Sequence, residues 1–199
     1  MTMKPKLSFY RLLFTLMLVG GMLQVRAQDW AVKTNLAYDA TSTVNLGVEV
    51  GVAPQWTIDL SGNLNAWSTG GRPKWKHWLA QPEVRYWFCD RFSRHFVGAH
   101  LIGGAFNFGS LENNISFLGT DFSVLTKQRY QGYAFGAGLA YGFAFILSEN
   151  ANLEFEAGFG YMVLDYETFR CSDCGRKIGE GTHHYVGPTK AAINLELVF

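Results

Sequence analysis

Three sets of residues have types and spacings that could do chemistry. Cys171 and Cys174 form a Cys-x-x-Cys, with His183 and His184 a short way beyond. Two thiolates and two imidazoles could complete a tetrahedral zinc site, but the second spaced pair that marks such sites is missing. In an exported segment the same cysteines favour a local disulfide, with free or reversible thiols as the alternative. The second set is His100 with Ser61 and Ser68, a base and two hydroxyls of the kind a lipase or acyltransferase uses. That chemistry also needs an orienting acid, and no Gly-x-Ser-x-Gly is present, so no catalytic residue, metal or cofactor is assigned. The third set is larger: Lys33, Glu49, Asp59, Glu83, Arg85, Glu154, Glu156 and Glu196 stand as isolated charges within apolar segments. Charges so placed must be paired, hydrated or neutralised.

The segments that carry them alternate with period two. "VNLGVEVGV" sets Val44, Leu46, Val48, Val50 and Val52 against Asn45, Gly47, Glu49 and Gly51. "WAVKTNLAY", "WTIDLSGNLNA", "WLAQPEVRYWF", "QGYAFGAGLAYGFAFIL" and "NLEFEAGFGYMVLDY" alternate likewise, and "HFVGAHLIGGAFNF" is strand-like with ambiguous faces. The chain ends in "KAAINLELVF", strand-like to its last residue. Eight strands are expected, most about 9–11 residues long, the length of a tilted membrane-spanning strand. Short turns ("APQ", "CDRFSR", "LSENA", with Cys89 in the second) alternate with longer connections near 66–77, 107–130 and 167–188. Short turns at one rim and long loops at the other suit an outer-membrane barrel.

Alternation alone also fits a soluble secreted barrel with its apolar face inward. Three features favour the inverted arrangement. Glycines beside the acids, Gly47 and Gly51 near Glu49 and Gly158 and Gly160 near Glu156, are a loss on a wetted face but make room inside a narrow barrel. Trp30, Trp56 and Trp87 fall at one expected rim, and Trp67, Trp75 and Trp78 at the other, as two aromatic girdles would. A terminal strand is also what closure demands, because an unpaired edge in hydrocarbon is costly. Phe199 ends the chain like the C-terminal signal read by barrel-assembly machinery. On this reading the eight charged residues face the interior, six acids to two bases. They form a hydrated salt-bridge network with Arg85 and Lys33 as hubs, or else an ion path or proton-linked site. An eight-stranded barrel barely holds its own side chains, which favours the network and argues against a large pore.

The start of the chain sets the compartment. Lys4, Lys6 and Arg11 precede an apolar run and "VRAQ", the pattern of a secretory signal peptide cut after Ala27. The run is shorter than the roughly 20 residues a helical anchor needs. Removing residues 1–27 takes four of 17 basic and none of 16 acidic residues, leaving a net charge near −3. No basic stripe for nucleic acid remains. Residues 28–199 suffice for one domain and carry no linker that would divide them.

The stretch "KWKHWLAQPEVRYWFCDRFSRHFVGAHLIGGAFNFG", with "AVKTNLAYDATSTVNLGVEVGV" and "WTIDLSGN" before it, resembles a family of small secreted β-barrels of Bacteroides-type bacteria (Bacteroidetes), domain of unknown function 3575. The likeness spans about 31–199 and is strongest at Lys74–Trp87. It implies an OmpA-like eight-stranded outer-membrane barrel, brings no catalytic residues, and hints at surface assembly with fimbrial partners. The expectation is therefore an all-β, antiparallel, up-and-down transmembrane barrel (28–199) after a cleaved signal peptide (1–27), in the cell outer membrane and in contact with lipid. Its role would be structural or surface-interacting. The alternatives are a lipid-modifying enzyme and a soluble ligand-binding barrel.

Overall fold

The computed structural model describes residues 29–67, 74–109, 116–117, 120–121, 129–170 and 175–199. The expected leader, Ser68, and the Cys171–Cys174 pair lie outside these residues. Eight long strands form one antiparallel sheet that closes on itself as a barrel. They are β1 (Trp30–Asn35), β2 (Val44–Ala53), β3 (Trp56–Asn65), β4 (Lys74–Trp87), β5 (Arg94–Gly109), β8 (Arg129–Ser148), β9 (Ala151–Phe169) and β10 (Lys177–Val198). Two-residue strands β6 (Ser116–Phe117) and β7 (Thr120–Asp121) make a separate hairpin between β5 and β8. Each long strand pairs with its neighbour in sequence, and β1 closes the ring against β10, Ala31 opposite Val198.

Through the middle of the barrel the outward face is apolar and the inward face polar. Val44, Leu60, Tyr133, Leu139 and Phe159 are exposed, Leu139 to 71%, whereas Glu49, Arg85 and Glu154 are fully buried at 0%. Gly47 and Gly158 show why glycine sits among the acids. A Cβ on Gly47 would lie 2.6 Å from Lys33 Cγ, and one on Gly158 would lie 2.8 Å from the His100 ring and 2.9 Å from Lys190 Cβ. Large inward side chains occupy the space that the glycines leave.

Four sequence expectations need correction. β8, β9 and β10 run 20, 19 and 22 residues, about twice the length of β2 and β3. Beyond the apolar belt their outward residues become polar (Asp165, Glu167, Thr182), so alternation loses its apolar signature while the ladder continues. The segments 74–77, 129–130 and 177–188, expected as loop, are strand. β1 stops at Asn35, whose side chain accepts from the Ala37 N–H and starts a short helix α1 (Leu36–Ala40), so Leu36 and Tyr38 are not strand residues. Trp87 shares the parity of Arg85 and points inward, donating to Thr57 Oγ1 at 2.9 Å, rather than joining a girdle. Trp30, Trp56, Trp67 and Trp78 are exposed; the Trp75 side chain lies outside the described part.

Trp87 belongs to an apolar plug at the short-turn rim. Its ring lies 4.6 Å from Phe96 and 6.1 Å from Phe92, centroid to centroid, with Ala31, Ala144 and Val198 around them. Phe92 reaches the plug from the β4–β5 turn with φ 59°, a left-handed conformation that a non-glycine residue adopts at a cost. At the closing seam the Phe199 N–H donates to the Trp30 carbonyl at 2.8 Å, and the two rings stack at 4.5 Å. Deleting Phe199 removes both contacts and should cost about 1–3 kcal/mol. Urea unfolding followed by tryptophan fluorescence checks this, and an unchanged midpoint would show that the seam closes without it.

Candidate functional site

All eight charged residues singled out in the sequence are buried, and they meet in one layer across the lumen. Arg85 on β4 is the hub. Its Nη1 donates to Glu49 at 2.6 Å and to Glu154 at 2.9 Å, Nη2 to Glu156 at 2.8 Å, and Nε to Glu83 at 3.0 Å. The guanidinium also lies 4.4 Å above the Phe96 ring, which ties the charged layer to the plug. Lys33 on β1 bonds Glu49 and lies 3.2 Å from Asp59 and 3.8 Å from both Glu154 and Glu196.

A third hub, Lys190, is missing from the sequence-derived set. Its ammonium bonds Glu83 and lies 3.0 Å from Glu156. It stands on the polar face of the terminal segment with Glu196, so parity alone could have found it. A bulge places it: Pro188 opposes Phe159 and Lys190 opposes Gly158, leaving Thr189 as the extra residue. Amides complete the layer. Asn194 donates to Glu154 at 2.7 Å, and Asn152 to Glu196 at 3.1 Å and to the Phe92 carbonyl at 2.8 Å.

Two chemistries can be weighed on this geometry. Oxygens of Glu49, Glu154 and Glu196 lie within 4.8 Å of one another, close enough to hold a metal ion. The Lys33 ammonium sits among them and supplies the positive charge itself. His100 Nε2 lies 2.9 Å from Thr189 Oγ1, while Ser61 bonds the Gln81 carbonyl at 3.3 Å, so base and nominated nucleophile have separate partners. His100 Nδ1 has no hydrogen-bond partner among the described residues, so no acid orients the ring. His183 and His184 are strand residues facing opposite sides of β10, and His184 pairs with Tyr161 at 2.5 Å. They cannot both serve one ligand-binding face. Cys89 is a free, exposed thiol at the short-turn rim.

The lumen narrows at the charged layer, where a cavity of only about 30 Å³ lies beside Lys33, Asp59 and Lys190. That is room for one or two waters. The family model for "Protein of unknown function (DUF3575)" matches residues 13–199. The chain belongs to the DUF3575 family. No curated protein and no solved structure matches this DUF3575 member.

Removing a hub should show what the layer does for the DUF3575 barrel. Arg85→Met leaves carboxylates from three strands short of a shared cation, a loss of about 3–5 kcal/mol. Urea unfolding should place it well below a Lys177→Met control, whose 2.6 Å bridge to Glu167 is exposed and worth little. Equal midpoints for the two variants would show that the lumen is hydrated well enough to screen its charges.

Proposed function

We propose that this chain is an integral outer-membrane barrel with a structural or surface-interaction role. It would hold its short turns and both chain ends in the periplasm and present its long connections outside the cell. The observation that carries the reading is the inversion of polarity on a closed sheet. Apolar side chains such as Leu60, Phe135, Leu139 and Phe159 stand 57–71% exposed, while Arg85 and the six carboxylates are at most 5% exposed. In water such a belt would be far larger than the apolar patches soluble proteins tolerate; in a bilayer it is the wall itself. Aromatic rings near the short turns add support. Trp56 packs on Tyr86 at 5.0 Å and Tyr86 on Phe88 at 5.8 Å, and the Trp30–Phe199 stack continues the band at the headgroup level.

The charged layer and the plug below it favour a scaffold over a channel. The leader of residues 1–27 and the terminal Phe199 suit export and barrel assembly. Connections 66–73, 110–128 and 170–176 are then the elements that would engage a partner, and the family resemblance points to a surface or fimbrial component.

Two experiments separate this reading from its alternatives. Leu139→Arg puts a charge at the middle of the outer belt and should cost about 2–4 kcal/mol in a bilayer, seen as loss of the compact band on an unboiled gel of the membrane fraction. A soluble barrel would tolerate the same change and leave the cells without detergent. Replacing 110–128 by a short Gly-Ser turn should leave the compact band and abolish surface binding of a fimbrial subunit; binding that survives would remove the partner role. Deletion of the gene with altered lipid A or phospholipid by mass spectrometry would instead favour an enzyme.

A further inference from the structure

Above the charged layer part of the lumen wall is apolar. A cavity of about 470 Å³ opens on the loop side of Lys190, walled by Leu79, Phe106, Phe108, Met162 and Leu164. From β8 the small Ala134 lines it, while the space beside Gly136 is taken by the Met162 side chain, which is how Met162 reaches the wall. A second cavity of about 620 Å³ continues it toward the mouth, sharing His77 and Phe106. One wall is aromatic: Phe106 stacks on Phe108 at 5.3 Å, the His77 ring meets Phe108 edge-on at 6.2 Å, and Tyr38 of α1 lies 6.5 Å from His77. The facing wall is aliphatic. The outer cavity has polar lining, Asn107, Gln131 and Asp165 among it, whereas the size, the apolar walls and the few polar groups of the inner one match a small-molecule site in the mouth of a barrel.

We propose that this cup binds a neutral aromatic molecule bearing one hydrogen-bonding group, of the phenol or indole class. The electrostatics choose among ligand charges. Among the described residues Lys190 is the one Lys or Arg lining the inner cavity, and Glu83 and Glu156 already engage it. Beneath it six carboxylates face three cations, so an anionic head would meet a net negative floor. Among the described residues no carboxylate lines the inner cavity to receive a cation, which would lose its water against Phe and Leu for no counter-charge. An uncharged ring fits the slot between the aromatic and aliphatic walls. Its polar group can reach Thr189, held by His100 at 2.9 Å, or Tyr38 at the rim. This inference rests on the lumen alone and stands whether or not the outer belt faces lipid.

The chain supplies its own reporter. Four of its five methionines precede residue 28, so Met162, in the wall of the cup, is the one methionine of residues 28–199. Protein carrying ¹³C-methyl methionine, folded in lipid nanodiscs and shown compact by unboiled gel, is titrated with 1-naphthol. A saturable shift of the Met162 methyl is expected, with binding at least about tenfold weaker for 1-naphthoate and for naphthylmethylammonium. Ala134→Trp fills the cup and should remove the shift. If that variant fails to fold, Leu164→Asn decides, since it keeps the space but places an amide in the wall and should weaken binding about tenfold. A methyl signal that does not move, that moves without saturating in step with a lipid resonance, or that responds equally to the charged analogues would overturn the proposal. So would binding unchanged in the variant that folds.

Discussion

The fold depends on one guanidinium. Arg85 gathers carboxylates from β2, β4 and β9, strands that are not neighbours in the sheet, so its bonds run across the lumen and not along the ladder. A guanidinium does not give up its proton, and its planar fork can serve several acceptors at once. Because side chains alternate with period two, a slip of one residue in any of these strands would carry its acid to the apolar outer face. The charges inside and the hydrocarbon-like belt outside therefore specify the same register from opposite sides.

Much of the barrel was legible in the sequence, because both faces of most strands obey one rule. β2 is the clearest case: five valines and leucines outward, glycine and Glu49 inward. The interior set was legible for the same reason, each acid betraying its face by parity. What stayed hidden breaks the rule locally. β5 above Ile102 turns Phe106 and Phe108 inward to the cup while its outward positions are Gly103, Ala105 and Asn107, which is why "HFVGAHLIGGAFNF" gives no clear face. The helical turn α1 was hidden because "NLAYDA" continues an alternating run until Asn35 caps it. The tall wall of β8–β10 was hidden because polar outward residues look like loop.

The lumen is thus layered along its axis. An aromatic plug of Trp87, Phe92 and Phe96 seals one end, the ion layer fills the middle, and an apolar cup opens at the other end. The layers support one another: Phe96 lies under the Arg85 guanidinium, the Phe92 carbonyl accepts from Asn152, and Lys190 is both a member of the ion layer and the floor of the cup. Burial of so many charges is costly by itself; the amides of Asn152 and Asn194 occupy acceptor sites that three cations cannot reach.

The single extra residue at Thr189 has a consequence for how this chain can change in length. It acts as a phase shifter in β10. Below it the even-numbered Lys190, Asn194 and Glu196 face inward, and above it the odd-numbered Gly187, Tyr185 and His183 do. Excising Thr189 would set Pro188 next to Lys190 against Phe159 and Gly158, so both halves of the strand would keep their faces and only the partner of His100 would be lost. Adding or removing one residue in the regular stretch between Lys190 and Leu197 would instead turn part of that stretch over and carry an inward polar residue to the outer belt. β10 can therefore shorten by one residue at this bulge, whereas its regular stretches change length only in twos.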